Sequence, residues 1–408
     1  MKKKISIALA LLMVAVMLPV MAMAEDVYTT LPTADSNGVI TLDKNVTLSS
    51  YAKIDGKIKL DLNGHTITCT KNWAIVVMQN GTLTVVDSSA AGTGAIVCAS
   101  GDESSRSAIY GGDNTAIIIE GGHLKGVDFG IVLMGIDSSL TVNGGVIEGE
   151  QGFGISGNGS MKNGVPECGP TTITINGGEI KGGEAGIYHP QKGTLNITGG
   201  TVSGTTGIYM KSGTANITGA TISGTGPNAK PVANGNGADS TGDAIIMDSK
   251  TGYAGDMVLN LGAGNTITST NGYALQVANT DVDTTNVVAL NITGGNFTGN
   301  PDAVKLSKQF KDAVADANIN ASASITGGTF NGNTDELKPY IPSNMEITAS
   351  GNVVNKPGTP IIIYNPTEDT PKANDQKNPG TGANDLVGVA AAMAVVSLLG
   401  AAAVIRKK

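Results

Sequence analysis

Glycine pairs recur along this chain at a nearly constant distance, and this regularity constrains the fold more than any other feature. Each pair follows a short alternating segment such as Leu195-Asn196-Ile197-Thr198, and most precede a second one such as Thr201-Val202-Ser203-Gly204. The closest spacings are 23, 22 and 20 residues, which predicts a stack of similar units. The pairs, with one Gly-Ala variant, are Gly121-Gly122, Gly144-Gly145, Gly177-Gly178, Gly199-Gly200, Gly219-Ala220, Gly294-Gly295 and Gly327-Gly328.

A third element recurs in phase with the pairs. It consists of a small residue followed by Ile or Leu, as in Gly130-Ile131, Gly154-Ile155, Gly186-Ile187 and Gly207-Ile208, with the variants Ala74-Ile75, Ala108-Ile109, Ala244-Ile245 and Ala274-Leu275. One period therefore holds three short strands, each too brief to bury its own apolar face. Such strands must stack on the next copy of the repeat.

The pattern predicts an all-β fold, a right-handed parallel β-helix of about ten coils over residues 25–350. Alternation of Val, Ile and Leu with Thr, Asn and Ser is typical of strands, and the glycines stand where a coil must turn sharply. With a rise of ~4.8 Å per coil, the rod would be roughly 50 Å long. A leucine-rich horseshoe or a propeller would need a different period and consensus.

The repeat region also resembles the pectate-lyase-like β-helix superfamily. Its sequence motifs LDLNGHTIT, NITGGTVSG and ITGGTFNG are similar to those of many wall-anchored proteins of Gram-positive bacteria. The resemblance covers most of the mature chain and concerns the fold, because such repeats encode coil geometry. Function must be argued from a site.

The N-terminus has the three regions of a secretory signal peptide. Lys2-Lys3-Lys4 precede an apolar stretch from Ile5 to Val20, and Ala22-Met23-Ala24 forms a small-residue cleavage site. Residues 1–24 are therefore predicted to be removed, and Glu25 becomes the first residue of a secreted chain.

The C-terminus combines a short motif, an apolar run and a basic tail. The run from Leu386 to Ile405 is about long enough to cross a ~30 Å hydrocarbon core, and Arg406-Lys407-Lys408 would stay in the cytoplasm. Pro379 prevents a helix and the glycines clear space around the Thr381 carbonyl. The motif just outside the run is Asn378, Pro379, Gly380, Thr381 and Gly382.

Residues 378–408 together resemble the sorting signal of Gram-positive surface proteins, with Asn378 where the family usually has Leu. The resemblance implies that a sortase cuts between Thr381 and Gly382, through a thioester on its Cys, and joins Thr381 to peptidoglycan. The membrane would be a partner only through this tail before processing. Residues 351–377, which contain four prolines and many charged or amide residues, are predicted to form an extended wall spacer.

Charge and cysteine content exclude several classes of function. Without residues 1–24 and 382–408 the chain keeps 20 basic and 33 acidic residues, a net charge of −13, which argues against nucleic acid as a partner. Three cysteines cannot form a disulfide scaffold. Cys69 and Cys98 fall at a similar coil phase; a bridge between them or two small buried thiols both fit the pattern.

Candidate binding residues lie in one aromatic pair and three insertions. Tyr188 and Tyr209 share a phase after the Gly-Ile element and would form a two-rung stripe for a sugar face if they point outward; such a ladder can equally be structural. The insertions are 156–170, with Lys162, Glu167 and Cys168; 225–241; and 279–286, with Asp281 and Asp283. Loops on a rigid scaffold often carry binding residues, but all three insertions also fit as tolerated bulges.

No catalytic, metal or cofactor site is predicted. A β-helix lyase needs a Lys or Arg base with clustered carboxylates. Arg106 is the one Arg that remains after the predicted processing. It is interpreted as part of a surface ion pair beside Asp102 and Glu103. A hydrolase of the polygalacturonase type needs a set of motifs of which only Asn279-Thr280-Asp281 and Asn333-Thr334-Asp335 match a fragment.

The histidines and the clustered acids are also interpreted as structural. His65, His123 and His189 are expected at coil corners or on the surface. Asp239, Asp243, Asp248 and Asp256 could gather around calcium, but their spacing matches no defined loop, and solvated acids are the expected reading.

These features predict a secreted, wall-anchored and non-catalytic surface protein that displays a β-helix for adhesion or for binding a glycan or host-matrix ligand. The alternative is a surface polysaccharide lyase or glycoside hydrolase of the β-helix type. A purely structural layer component is a third hypothesis.

Overall fold

The computed structural model describes residues 27–99, 105–159, 161–162, 165–227, 237–249, 252–253, 255–280 and 286–358. The chain divides into the units Met1–Thr359 and Pro360–Lys408, and every described residue belongs to the first. The predicted signal peptide with Ala22, Ala24 and Glu25, the sorting motif from Asn378 to Gly382, the apolar run 386–405, and Asp281 and Asp283 lie outside the described residues. Within the described ranges, no helix has the length and apolar character needed to cross a membrane.

Parallel pairing arranges most strands in three ladders, in which each strand pairs with the strand of the coil before and after it. The first ladder begins each period. Its strands are Val39–Thr41, Lys57–Asp61, Thr82–Val86, Ala116–Ile119, Ser138–Val142, Thr171–Ile175, Gly193–Ile197, Gly213–Ile217, Met257–Leu261 and the first parts of Val288–Thr298 and Ala321–Phe330.

The second ladder follows the glycine turn of each period. Its strands are Val46–Leu48, Thr66–Cys69, Ala95–Cys98, His123–Gly126, Val146–Gly149, the first parts of Glu179–His189 and Thr201–Met210, Thr221–Gly224, Thr266–Ser269, and the last parts of Val288–Thr298 and Ala321–Phe330.

The third ladder carries the small-residue–Ile element. Its strands are Ala52–Ile54, Trp73–Val77, Ser107–Gly111, Phe129–Leu133, Phe153–Gly157, the last parts of Glu179–His189 and Thr201–Met210, Ile245–Ser249, Leu275–Thr280 and Val304–Leu306. One large parallel sheet of mostly short strands results. This confirms the predicted all-β class and is consistent with a parallel β-helix.

The inward-pointing aliphatic side chains of all three ladders form one main core. On the second ladder Ile67, Ile96 and Leu124 stand in register, and all three are fully buried. Each such side chain contributes about 1.5–3 kcal/mol when removed from water. Each short strand alone buries few apolar side chains, but the stacking of like residues in successive coils joins them into one continuous apolar core.

The predicted glycine turns are confirmed at the junction of the first and second ladders. Gly145 and Gly178, the second residues of their pairs, have φ of 80° and 85°. A Cβ on Gly178 would lie 2.9 Å from the Gly145 carbonyl oxygen of the preceding coil. Glycine is needed there both for the left-handed backbone and for the close approach of successive coils.

An asparagine row lies on the outward side of the first ladder. Asn196, Asn216, Asn260 and Asn291 occupy paired positions in four coils. The side-chain amides of Asn216, Asn260 and Asn291 each donate to the Oδ1 of the preceding asparagine in the row, over 2.9, 2.7 and 2.8 Å. Partly buried amides are thus satisfied along the stack, which stabilises the register.

The last coil is covered by short elements. Helix α1, Lys308–Ala315, is capped by Ser307, and it inserts Phe310 into the core. A 3-10 helix, Asp335–Tyr340, adds the buried Leu337. The antiparallel pair Met345–Ile347 and Val353–Asn355 carries regular structure past residue 350 into the first residues of the predicted spacer. A second antiparallel pair, Met161–Lys162 and Val165–Pro166, lies in the first insertion.

Candidate functional site

Three aromatic side chains stand together on the outward side of the first coils of the third ladder. Ile75 and Ile109 are register partners that point into the core, so the next pair, Val76 and Tyr110, points outward. The Trp73 ring lies 4.9 Å from the Tyr110 ring, between their centroids, and 5.7 Å from the Tyr51 ring. All three aromatic residues are partly exposed.

Two phenylalanines continue this surface. Phe129 and Phe153 are register partners whose ring centroids lie 5.9 Å apart at an interplanar angle of 23°, and both are partly exposed. Phe129 shares its register position with Ser107, which pairs with Trp73. We call the partly exposed set Tyr51, Trp73, Tyr110, Phe129 and Phe153 the aromatic face.

The aromatic face has the chemistry of a contact surface. Aromatic rings combine large apolar area with few rotatable bonds, so a ligand can pack on them at low entropic cost. The exposed Lys53 places its Nζ 5.9 Å from the Tyr51 ring centroid, which adds a cation at one border. The C–H face of a sugar ring is an apolar surface that can pack on partly exposed aromatic rings.

Tyr188 and Tyr209 extend the same row, but they are not accessible. They are register partners with ring centroids 6.0 Å apart, and they point away from the main core into a second apolar cluster with Ile246. Their exposure is only 7% and 0%, and burial raises the pKa of both hydroxyls. The predicted outward stripe exists, but later segments of the chain cover it, so the solvent-facing aromatic residues lie in earlier coils.

Lys211 and Asp248 form a buried ion pair next to Tyr209. Lys211 Nζ lies 2.6 Å from Asp248 Oδ2, and both side chains are fully buried. Tyr209 donates its hydroxyl to the same oxygen over 2.5 Å, and Asn279 Nδ2 donates to Oδ1 over 2.6 Å. We call Tyr209, Lys211, Asp248 and Asn279 the buried polar cluster.

Rings and loops enclose the buried polar cluster. The Tyr253 ring centroid lies 5.1 Å from Lys211 Nζ, and the Tyr253 hydroxyl lies 3.3 Å from that of Tyr188. A Cβ on Gly159, in the first insertion, would lie 2.3 Å from the Tyr253 ring. The insertion and the Tyr253 segment are therefore in direct contact above the third ladder.

The expectation of solvated acids is wrong for two of the four aspartates. Asp248, on the strand Ile245–Ser249, and Asp243, just before that strand, are both fully buried. Burial raises the pKa of Asp243, although it accepts hydrogen bonds from the Thr241 hydroxyl and the Tyr273 amide. Asp239 is partly exposed and Asp256 is exposed. Among the residues that the structure describes, no three His, Cys, Asp or Glu side chains are grouped as a metal site.

The expectation for His189 is also wrong. It pairs with Met210 on the third ladder and is fully buried, because its position in the strand points inward. Neither ring nitrogen has a hydrogen-bond partner in the described part of the chain, and burial lowers the pKa of His189 to about 4. His65 does lie at a turn, partly exposed, and His123 lies near the surface with Nε2 2.8 Å from Glu148 Oε2.

Arg106 forms an ion pair near the aromatic face. Its guanidinium contacts both carboxylate oxygens of Asp128, each over 3.0 Å. Burial by itself would raise the pKa of Asp128, but the hydrogen bonds from Arg106 outweigh it and hold that pKa below its usual value. The predicted neighbours Asp102 and Glu103 lie outside the described residues.

The cysteines are buried free thiols. Cys69 and Cys98 are register partners in neighbouring coils. Burial, followed by the effect of Cys69, raises the pKa of Cys98 to about 12. Cys168 in the first insertion is buried too, whereas Lys162 and Glu167 of the same insertion are exposed. Burial raises the pKa of Cys168 as well, to about 11, so the Cys98 and Cys168 thiols have little thiolate character at neutral pH.

Sequence reasoning missed both the aromatic face and Lys211. The signal was nonetheless present, since Phe129 and Phe153 directly precede Gly130-Ile131 and Gly154-Ile155. Lys211 and Asp248 each stand three residues after the Ile of the third-ladder element. No protein-family model matches the chain, and comparison with curated proteins and with solved structures gives no match.

Proposed function

We propose that this chain is a secreted, sortase-anchored cell-wall surface protein that displays a β-helix for binding a glycan or a host-matrix ligand, without catalysis. The proposal includes a right-handed coil of three short strands, since crossover connections between parallel strands are right-handed in about 98% of cases. The aromatic face is the observation that carries it.

The aromatic face supports binding through its composition and its exposure. Exposed apolar patches on soluble domains mark interaction sites, and Trp and Tyr are the residues that contribute most to such contacts. The Trp73 and Tyr110 rings contact each other, with centroids 4.9 Å apart at an interplanar angle of 49°, and both remain partly exposed. The rings are therefore held in place before a ligand arrives, which lowers the entropic cost of binding.

The experiment for binding uses the full-length chain, produced in a host that lacks sortase and extracted in mild detergent, on an array of glycans and matrix proteins. Saturable binding to a defined glycan or matrix ligand is the expected result. The same glycans are then incubated with the chain and assayed for new reducing ends and for unsaturated products. Turnover of a bound glycan would contradict the non-catalytic part of the proposal, and the absence of any bound ligand would contradict the binding part.

Anchoring is supported by the order of the sequence signals at the C-terminus. The partners would be sortase during processing and peptidoglycan afterwards, linked through Thr381. In a Gram-positive host, muramidase is expected to release the wild-type chain from intact cells. Thr381→Ala should move it to the detergent-extractable membrane fraction, whereas Thr367→Ala, outside the motif, should not. Release of wild-type chain by detergent alone would refute anchoring.

A polysaccharide lyase or glycoside hydrolase is the second candidate. The observation in its favour is the buried polar cluster, in which a lysine, a tyrosine and a carboxylate, the residue types used as bases and acids in sugar cleavage, lie within hydrogen-bond distance. This function requires the covering segments to open, because Lys211 and Asp248 are fully buried. The turnover assay above separates the two candidates.

A further inference from the structure

The contact between Lys211 and Asp248 is set by the register of the third ladder. Met210 pairs with Met247, so the residues that follow them stand side by side on neighbouring strands. Lys211 Nζ lies 2.6 Å from Asp248 Oδ2, and neither side chain is exposed to solvent. An amine and a carboxyl group are thus held together across two successive coils, away from water.

Burial makes the charged form of this pair costly. Removing an ammonium and a carboxylate from water carries a large desolvation penalty for each ion. The condensation uses the neutral pair: one proton passes from Nζ to the carboxylate, which leaves a neutral amine beside a neutral acid. A neutral amine is a nucleophile, and a carboxylic acid is its acyl partner.

The neighbouring groups favour attack on the Asp248 carbon. Asn279 Nδ2 donates to Oδ1 over 2.6 Å, so it stabilises the negative charge that develops on this oxygen. The Tyr209 hydroxyl donates to Oδ2 over 2.5 Å and can pass a proton to it. The fixed contact gives a high effective concentration of amine at the acyl carbon.

We propose that Lys211 and Asp248 condense to an intramolecular isopeptide bond. The lone pair of Nζ attacks Cγ of the protonated Asp248 side chain, and the new Nζ–Cγ bond forms. The Cγ–Oδ2 bond then breaks, and Oδ2 leaves as water with its own proton and one proton from Nζ, relayed by the Tyr209 hydroxyl. The products are a secondary amide and one water molecule, and no oxidant, metal or cofactor is required.

The surroundings distinguish this pair from an ordinary surface ion pair. Lys305 Nζ and Glu336 Oε1 lie 3.2 Å apart, but their side chains are 46% and 28% exposed. Solvent stabilises the charged form of that pair, so no condensation is expected there. The pair Lys305–Glu336 therefore serves as an internal control in the same molecule.

Peptide mass spectrometry of the full-length chain tests the proposal. Trypsin cuts after Lys192 and Lys250, and Pro231 protects the bond after Lys230. An acylated Lys211 is not cut, so the denatured wild-type chain should yield a peptide of residues 193–250 with a mass one water lower than its sequence mass. Fragmentation should place the link between Lys211 and Asp248, while cleavage after Lys305 proceeds normally.

Three outcomes would overturn the proposal: free peptides 193–211 and 212–250, an uncut peptide 193–250 of unaltered mass, or a link from Lys211 to Asn279 with loss of ammonia. Lys211→Arg is the matched variant, because it keeps both the positive charge and the trypsin site. It should release peptides 193–211 and 212–250 whether or not the variant folds. Loss of water in the same segment of this variant would also count against the Lys211 link.

Discussion

His189 and Met210 are register partners on the third ladder, and both side chains are completely buried. A titratable ring thus occupies an inward position that neighbouring coils fill with methionine, since Met247 pairs with Met210 in turn. The imidazole has no hydrogen-bond partner among the described residues, so the fold tolerates it only in the neutral form.

Stability should fall as the pH decreases from about 6.5 to about 4. Burial lowers the pKa of His189 to about 4 from a usual value of 6.5, so in this window the unfolded chain binds a proton that the folded chain does not. The free energy of unfolding therefore decreases on acidification, by about 3 kcal/mol at the lower end. Urea denaturation at pH 7 and pH 4.5 measures the change.

His189→Met provides the control for this pH dependence. Methionine fits a row that already contains Met210 and Met247, so the variant should be at least as stable as the wild type at pH 7 and should lose less stability on acidification. An unchanged pH profile would show that His189 is not the responsible group.

Loss of the Trp73 ring should weaken ligand binding. Trp73 contacts both Tyr51 and Tyr110, so Trp73→Ala removes the central ring of its group. The dissociation constant for whichever glycan or matrix ligand the array identifies is expected to rise about tenfold to a hundredfold. Val354→Ala, at an exposed apolar residue of the C-terminal strand pair, should leave it unchanged. Equal losses in both variants would remove the aromatic face as the binding surface.

Gly178→Ala should destabilise the chain more than Gly56→Ala. Both glycines have positive φ, 85° and 75°, so each substitution costs about 1–2 kcal/mol of backbone strain. A Cβ at residue 178 would also press on the Gly145 carbonyl at 2.9 Å, whereas nothing lies within 4 Å of a Cβ at residue 56. Denaturation midpoints of the two variants measure the additional cost of the close approach between coils. Equal midpoints would mean that coil spacing adjusts without cost.

Asn216→Ala should destabilise the chain by about 1–3 kcal/mol. The substitution removes two hydrogen bonds of the asparagine row, those with Asn196 and Asn260, and leaves partly buried amide groups without these partners. Asn291→Ala removes only the bond to Asn260 within this row, so it should cost less. Calorimetry of both variants compares them, and a reversed order would contradict a role of the row in stability.

The strands and turns could be predicted from sequence because their causes are local. Alternation of apolar residues sets which side chains enter the core, and the glycine pairs set where each coil bends, as Gly145 and Gly178 show. The covering of the strands could not be predicted in this way. Asp248 and Tyr188 point outward, yet they are buried by segments whose path depends on tertiary contacts, such as that between Tyr253 and Gly159.

The position of each residue relative to the Ile of the third-ladder element could have located more of the candidate site. Aligning residues that follow each third-ladder Ile places Lys211 beside Asp248, and aligning residues that precede it places Phe129 beside Phe153. Whether such a neighbour pair is open to solvent is decided by the insertions, which have no repeat to guide a prediction. The aromatic face was missed because the residues were not aligned in this way. The burial of Lys211 could not be predicted because no local sequence pattern indicates it.

The third ladder keeps its register across an insertion, since Ile208 pairs with Ile245 although residues 225–241 intervene. Each strand is specified by its immediate neighbours above and below and does not depend on the length of chain between them. Loops that connect the strands of the third ladder can accordingly be exchanged, lengthened or mutated while the strands keep their pairing. A lineage could retarget such a molecule by editing a few surface segments, much as antibodies diversify their loops on a constant framework.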